Sequence, residues 1–497
     1  MGLTNSARPF FREFGKRVLW KGRAVMSIQL SKENMLRGMN DMNAFGSRLT
    51  GSKGHHDFVE YLKEEVRAIG YEPVSDVKTF ERWEEKESKL VLHTKKGDVD
   101  IPVASAFPYS GETGPEGFTG KLSKLRPFKD IVVMRMPDFS RVPAAVAFSE
   151  RRAMPSDLHL TKFYKGPVAV AFIKATIGIY LAKFTGAKSA VFIWQKMSNE
   201  MVQGQYLNFI LGHLGIPTLW VNAEAGKTLL KARKKKMKAT LTLDAEIEKD
   251  ATAEAFYVVV PGKNHKENVI INTHTDGVNA VEENGPIAML EMLRYYKTHQ
   301  PERDLIFAFV AGHFRLPAFE HRNSIAPVQQ ATSGWLNDHR DLWDGKRRHK
   351  RTVAAMALEH FGCAEWKDVK GVYQKTSDVD IEITYTGNQV MDDILYQALE
   401  EERSKVRTVS LRPHNFMHFG EGQSTFNVGI PDISLCVAPD YLTVVSDGQE
   451  MDKFDLDLME EQVRAFIRME QLINEKSAKE LGKTQGYSFG LGKRHKG

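Results

Sequence analysis

The chain has 497 residues, 42% of them apolar and 27% charged. That is enough for two or three globular units around a substantial core, and too hydrophobic for a disordered chain. The formal charge of +6 sits at the ends: six basic residues and one acid in the first 30 positions, and again in the last 22, leaving a body with 57 basic and 61 acidic residues. A nucleic-acid-binding fold would carry basic charge on the body, so this distribution argues against one.

Cys363 and Cys436 are the only cysteines and there is no Asn-x-Ser/Thr sequon. Both point to a reducing compartment, with each thiol expected as a small core residue. No uncharged apolar run reaches the roughly 18 residues of a membrane span; the most hydrophobic stretch, 166–186, is interrupted by Lys174 and Lys183. A cytoplasmic protein is expected. The start Met1-Gly-Leu-Thr-Asn-Ser6 and its Arg-rich continuation leave a lipid anchor and organellar import as alternatives.

In chain order, residues 1–30 form a basic arm. Residues 31–71 read as helix, with Met35, Met39 and Met42 at helical spacing, a break at Gly51-Ser-Lys-Gly54, and then Phe58, Leu62, Val66 and Ile69. Lys89–Thr94 alternates as a strand. From 100 to 245 short apolar segments are separated by Gly and Pro: 130–134, 167–172, 189–193 and 217–221 as strands, with a helix from Ile177 to Phe184. After a linking strand at 255–260 the pattern becomes plainly α/β. Strands are expected at 268–272, 304–310, 353–358 and 432–438, with helices at 286–297 and 455–474. Strands without alternation, separated by helices, predict a mixed, mostly parallel sheet covered by helices on both faces. The domains expected are a discontinuous catalytic unit (31–99 and 246–475), an insert (100–245), and a basic tail (476–497). The basic run Lys346–Arg351 reads as a solvated loop.

Open α/β sheets bind ligands beyond the carboxyl ends of their strands. There the sequence places His274 and Asp276, Gly312 and His313, Glu359 and His360, with Glu282 and Glu283 just before a helix and Glu421 before the last strand. Imidazoles and carboxylates converging from several loops suit a divalent metal, zinc first among them, at about 2.0 to 2.2 Å.

These residues carry a resemblance. Phe45-Gly-Ser-Arg-Leu-Thr-Gly51, His274-x-Asp276 followed by an acidic residue and a helix, and Gly429-Ile-Pro431 resemble motifs of the zinc aminopeptidases related to glutamate carboxypeptidase. Tyr164–Val170, Gly186–Val191 and Gly215–Asn222 are similar to strands of the mainly-β protease-associated domain inserted in one subgroup. The resemblance implies a zinc-peptidase-like fold. It makes His274 a zinc ligand, Asp276 the acid that orients the site, Glu283 or Glu282 a bridging carboxylate, and Glu359 a later ligand. It also exposes departures. The family's catalytic base and the ligand after it fall on Gly312 and His313, and its last His ligand falls near Tyr441-Leu-Thr443. One ion rather than two is therefore expected, zinc or another divalent metal, held by His274, Glu283, His313 and Glu359 or His360. Asp276, Glu282 and Glu421 are the candidate bases.

The function expected is metal-dependent hydrolysis of an amide bond in a small or short peptide-like substrate. The alternatives are a non-catalytic binding scaffold of the same fold, or a non-hydrolytic reaction such as cyclisation. Phe314, Trp335, Trp366 and Phe419 read either as a wall for an apolar substrate group or as core. Homodimerisation is left open.

Overall fold

The protein is described by a computed structural model covering residues 28–124, 130–136, 142–143, 149–160, 163–164, 168–195, 197–206, 213–314, 330–414, 418–445 and 450–486. The Met1–Ser6 pattern, nearly all of the basic arm and the last 11 residues of the basic tail lie outside the described residues.

Four parallel strands form the centre of the main sheet, in the order Arg303–Val310, Asn264–His274, Arg351–Ala357, Asp432–Leu435. Glu382–Thr386 joins antiparallel to the last of these, with Thr408–Arg412 parallel beyond it. Ser149–Met154, from within the 100–245 region, closes this edge antiparallel.

The apolar runs lack alternation because both faces are covered. Val269, Ile271, Phe307 and Phe309 face a core shared with the helices Lys32–Ala44, Gly285–Thr298 and Leu456–Asn474. The intervening Ile270, Ile306 and Ala308 face Trp335 and Leu336 of the helix Ala331–Asp338. Ser31, Ser52 and Asp455 cap the starts of their helices by accepting from backbone N–H groups, and Gly70 ends Lys53–Ile69 at φ 99°, where a side chain would be strained.

A second group of strands, Ser105–Ala106, Thr218–Val221, Ser189–Ile193, Ile131–Arg135 and Phe118–Ser123, adjoins the main sheet through Lys238–Val260. That 23-residue strand pairs antiparallel with Val74–Thr94 from Val74 opposite Tyr257 to Leu92 opposite Ala239. The short strands expected at 89–94 and 255–260 are thus parts of one long ribbon linking the two strand groups.

One expected element is overturned. The segment 167–172 is not a strand: a helix begins at Val168 and runs unbroken to Phe184. A short apolar run fits a buried strand and a buried helix equally, and here packing decides, with Ala175, Ile179 and Ala182 seated against Phe192 and Trp220.

Candidate metal centre

The carboxyl ends of the four parallel strands deliver the polar residues to one place, and the loop from Asp276 to Glu283 brings the rest. The turn 45–51 holds that loop. Arg48 is fully buried, its backbone pairs with Gly277 in both directions, and its guanidinium donates to the carbonyls of Asn279 (2.8 Å) and Glu282 (3.2 Å). Burial brings its pKa down to about 10 against the opposing charges of Glu283, Glu282 and Asp276. Thr50 donates to Asp276 Oδ2 (2.5 Å), and the buried His55, lowered by burial to about 4, bonds Thr275 Oγ1 through Nε2. On the far side, Asn279 donates to the carbonyls of Tyr441, Leu442 and Val444. The segment where the resemblance leads one to look for a final His is therefore tied to the metal loop through its backbone.

His274, Glu282, Glu283 and His360 form the central cluster. Each offers a ligand atom, these atoms lie within 4.8 Å of one another, and no residue of the four is more than 3% exposed. His274 Nε2 is 3.0 Å from Glu283 Oε2, and His360 Nε2 is 2.5 Å from Glu282 Oε2 and 3.7 Å from Glu283 Oε2.

Those four atoms, though close, make no hydrogen bond of acceptable geometry. They lie close enough together to serve as ligands of one ion. The opposite ring nitrogens explain the orientation. His274 Nδ1 meets the carbonyl of Asp276 at 2.7 Å and His360 Nδ1 meets that of Val437 at 2.6 Å. A carbonyl only accepts, so each Nδ1 carries hydrogen, and it is Nε2 that presents a lone pair once the ring has given up its second proton. Glu283 is further fixed through Oε1, which accepts from Thr273 Oγ1 and the Gly285 N–H.

The electrostatics agree. Burial disfavours charge on His274 and His360, yet the carboxylates of Glu283 and Glu282 outweigh it and hold both imidazoles well above the ordinary 6.5. Burial likewise opposes ionisation of Glu282, but His360 beside it holds its pKa below the ordinary value. Two buried carboxylates need positive charge, which protons or a divalent cation can supply.

The remaining expected residues are placed differently. Asp276 lies outside the cluster: its oxygens accept from Thr50, Gly312 N and Phe314 N. Burial would raise its pKa, but the neighbouring imidazoles, His274 first among them, hold it below the usual carboxylate range. Glu421 accepts from His313 Nδ1 (2.9 Å), Thr332 N (2.7 Å) and Ala331 N (3.3 Å); burial would raise its pKa, but His313 chiefly brings it below the ordinary value. His313 stacks on His274 with centroids 4.0 Å apart and planes 9° from parallel, outside the four-ligand group.

Glu359 accepts from Glu421 N through Oε1 (2.5 Å) and groups with His360 and Cys436, which sits just past the end of Asp432–Leu435. Burial raises the pKa of Glu359, and lifts that of Cys436 to about 11. From the sequence Cys436 reads as core inside a strand at 432–438; the strand in fact ends at Leu435, which puts Cys436 just beyond it.

Of the four aromatics, Phe314 lies near the site, with ring centroids 6.4 Å from His274 and 5.7 Å from His313. Tyr206, from the 100–245 region, packs on it at 5.8 Å, and its N–H donates to Thr443 O. Trp335 is core, Phe419 packs at the edge of the cluster of Tyr385 and Leu411, and Trp366 lies against Tyr373 under Lys453.

Solved structures share this fold. The fold is similar to that of BSAP, a zinc aminopeptidase from Bacillus subtilis, with 15% identity, TM-score 0.59, and 89% of this chain and 95% of that one covered. It is likewise similar to an aminopeptidase from Aneurinibacillus sp. strain AM-1 (17%, 0.54, 93% and 96%) and to a peptidase M28 precursor from Shewanella amazonensis SB2B (14%, 0.59, 89% and 95%). No protein-family model and no curated protein matches the chain. Among the described residues, no helix is long and apolar enough to cross a membrane.

Proposed function

We propose that the protein is a metal-dependent hydrolase of amide bonds in small, peptide-like or N-acyl substrates, working with one divalent ion of the zinc type. The observation that carries this reading is the convergence of His274 Nε2, His360 Nε2, Glu282 Oε2 and Glu283 Oε2 without hydrogen bonds among them. Two imidazoles and two carboxylates are a donor set zinc accepts. Bound there, the ion supplies polarisation of the scissile carbonyl and acidification of a water. Proteins with this fold include a zinc aminopeptidase and a further aminopeptidase, which supports the same class.

Removal of the water's proton falls to His313. Glu421 accepts from Nδ1 of His313, so the basic lone pair is at Nε2, and the ring is held flat against His274 beside the ligands. Three donors already occupy Glu421, which makes it the residue that orients His313 rather than the base. The same reasoning removes Asp276, whose oxygens are engaged by Thr50 and two backbone N–H groups, and Glu282, which belongs to the ligand set. Arg48 fixes the carbonyls of Asn279 and Glu282 and so presets the ligand loop. The ring of Phe314 with Tyr206 on it forms an apolar wall beside His274, fit for an uncharged substrate group, and residues 100–245 act as an insert that closes this side.

Metal analysis of the purified protein is expected to give close to one equivalent, and a screen of peptides and N-acyl amino acids to give hydrolysis that a chelator abolishes. His313→Ala should retain the metal while losing about 10²- to 10⁴-fold in turnover, the usual contribution of a general base. Absence of metal from the native protein, with His274→Ala changing neither metal content nor activity, would overturn the assignment.

A further inference from the structure

We propose that Glu359, His360 and Cys436 form a second, thiolate-bearing metal position, selective for soft divalent ions and adjoining the first through His360. Each of the three offers a ligand atom, and these atoms lie within 4.8 Å of one another. Glu359 is 0% exposed, His360 3% and Cys436 7%.

The cysteine does not stand alone. Glu359 spends Oε1 on the N–H of Glu421, while Oε2 is buried without a hydrogen-bond partner. A buried carboxylate oxygen left unpaired is costly unless a cation or proton meets it. The other cysteine has a different account: Cys363 donates through sulfur to the carbonyl of His360 at 3.2 Å and is not one of the group.

Ligand chemistry separates the two positions. Around His274 all donors are nitrogen and oxygen, which accept zinc and harder ions alike, whereas a thiolate disfavours hard ions and, while still able to bind zinc, favours softer ones such as cadmium. Coordination replaces the hydrogen of the Cys436 thiol by the metal, and the proton leaves to the buffer, with no change of oxidation state. His360 has a single nitrogen to give, because Nδ1 is committed to the carbonyl of Val437. The two positions therefore compete for Nε2 and act as alternative seats: a hard ion settles with His274, Glu282 and Glu283, and a soft ion moves toward Cys436 and Glu359. The inference needs no assumption about the reaction catalysed.

The test is titration of the metal-stripped full chain with Cd²⁺ alone, followed by the near-ultraviolet thiolate-to-metal charge-transfer absorption. The expected result is a band that saturates near one equivalent, persists in Cys363→Ser and His274→Ala, and is lost in Cys436→Ser. Glu359→Gln, which leaves the sulfur in place, should keep the band and weaken Cd²⁺ binding by about tenfold or more. It carries the test independently if Cys436→Ser fails to fold. Absence of the band from the folded wild type, or its survival in Cys436→Ser, would overturn the proposal. Loss of the band in His274→Ala would overturn it too, by assigning Cys436 to the first position. Failure of the hydrolase reading looks different: no zinc and no amide hydrolysis, with the cadmium band intact.

Discussion

Two sets of buried carboxylates lie at the same edge of the sheet, and they are treated in opposite ways. Asp276 and Glu421 have their oxygens filled by donors from the protein, namely a threonine hydroxyl, four backbone N–H groups and one imidazole. Glu282, Glu283 and Glu359 each keep one oxygen without a hydrogen-bond partner although no water reaches it. Since burying a charge is repaid only by pairing and hydrogen bonds, the filled set is self-sufficient scaffold, and the open set is the one we propose to meet a cation. Partner count, rather than residue type or burial, tells a ligand from a brace here.

The largest expected effect breaks the open set. His274→Ala should lower zinc affinity by more than the roughly 10- to 100-fold typical of losing an outer-shell partner, because a ligand itself is removed. Metal content after dialysis at fixed free zinc checks this. Retention of a full equivalent would dissolve the distinction between the two sets.

Next comes the brace beneath both. Arg48→Met keeps most of the stem but removes the side-chain donor of the Gly46 and Asn279 carbonyls, while those of Met42 and Glu282 keep backbone donors. Unsatisfied buried polar groups cost about 1–3 kcal/mol each; with partial relaxation, a loss of about 3 kcal/mol in denaturant unfolding is expected. An unchanged midpoint would show that the loop holds itself.

Proton and metal should exchange places in the open set, which gives a pH signature. The folded pKa values of His274 and His360 are raised, so in metal-stripped protein their stabilising contribution is complete below about 6.5, the unfolded value, and is lost as pH rises through the folded values. With zinc the trend reverses, because rising pH removes the protons that compete with the ion. Thermal unfolding from mildly acidic to mildly alkaline pH, with and without zinc, should therefore give slopes of opposite sign. Parallel slopes would mean that the ion binds elsewhere.

How legible all this was in the sequence follows from the kind of information each feature needs. The central strands were readable because double-sided burial imposes unbroken apolar runs, and strand ends then pointed to His274, Glu283, Glu359 and His360. The helix Val168–Phe184 was half missed because an apolar run alone cannot choose its period. Partner counts are wholly tertiary. Nothing local distinguishes Glu421, filled by backbone N–H groups some 90 residues away, from Glu282, which is left open. Cys436 reads as core from its apolar surroundings, because the apolar run continues to 438 although the strand stops at Leu435.

The smallest effect probes the filled set. Thr50→Val keeps shape and removes the hydroxyl that meets Asp276 Oδ2, leaving the carboxylate with the N–H groups of Gly312 and Phe314. A hydrogen bond to a charged acceptor contributes about 1.5–3 kcal/mol. Because Oδ2 still receives Phe314 N at 2.8 Å, the lower end is expected in chemical denaturation. Metal stoichiometry should not move, since Asp276 hydrogen-bonds His274 Nδ1 through its backbone carbonyl at 2.7 Å, while its carboxylate, 3.7 Å from that nitrogen, acts on the ring by charge alone. A fall in bound zinc with Thr50→Val would show that the Asp276 carboxylate, once released, competes for that ring nitrogen, and that the filling of its oxygens is itself what keeps His274 Nε2 turned toward the ion.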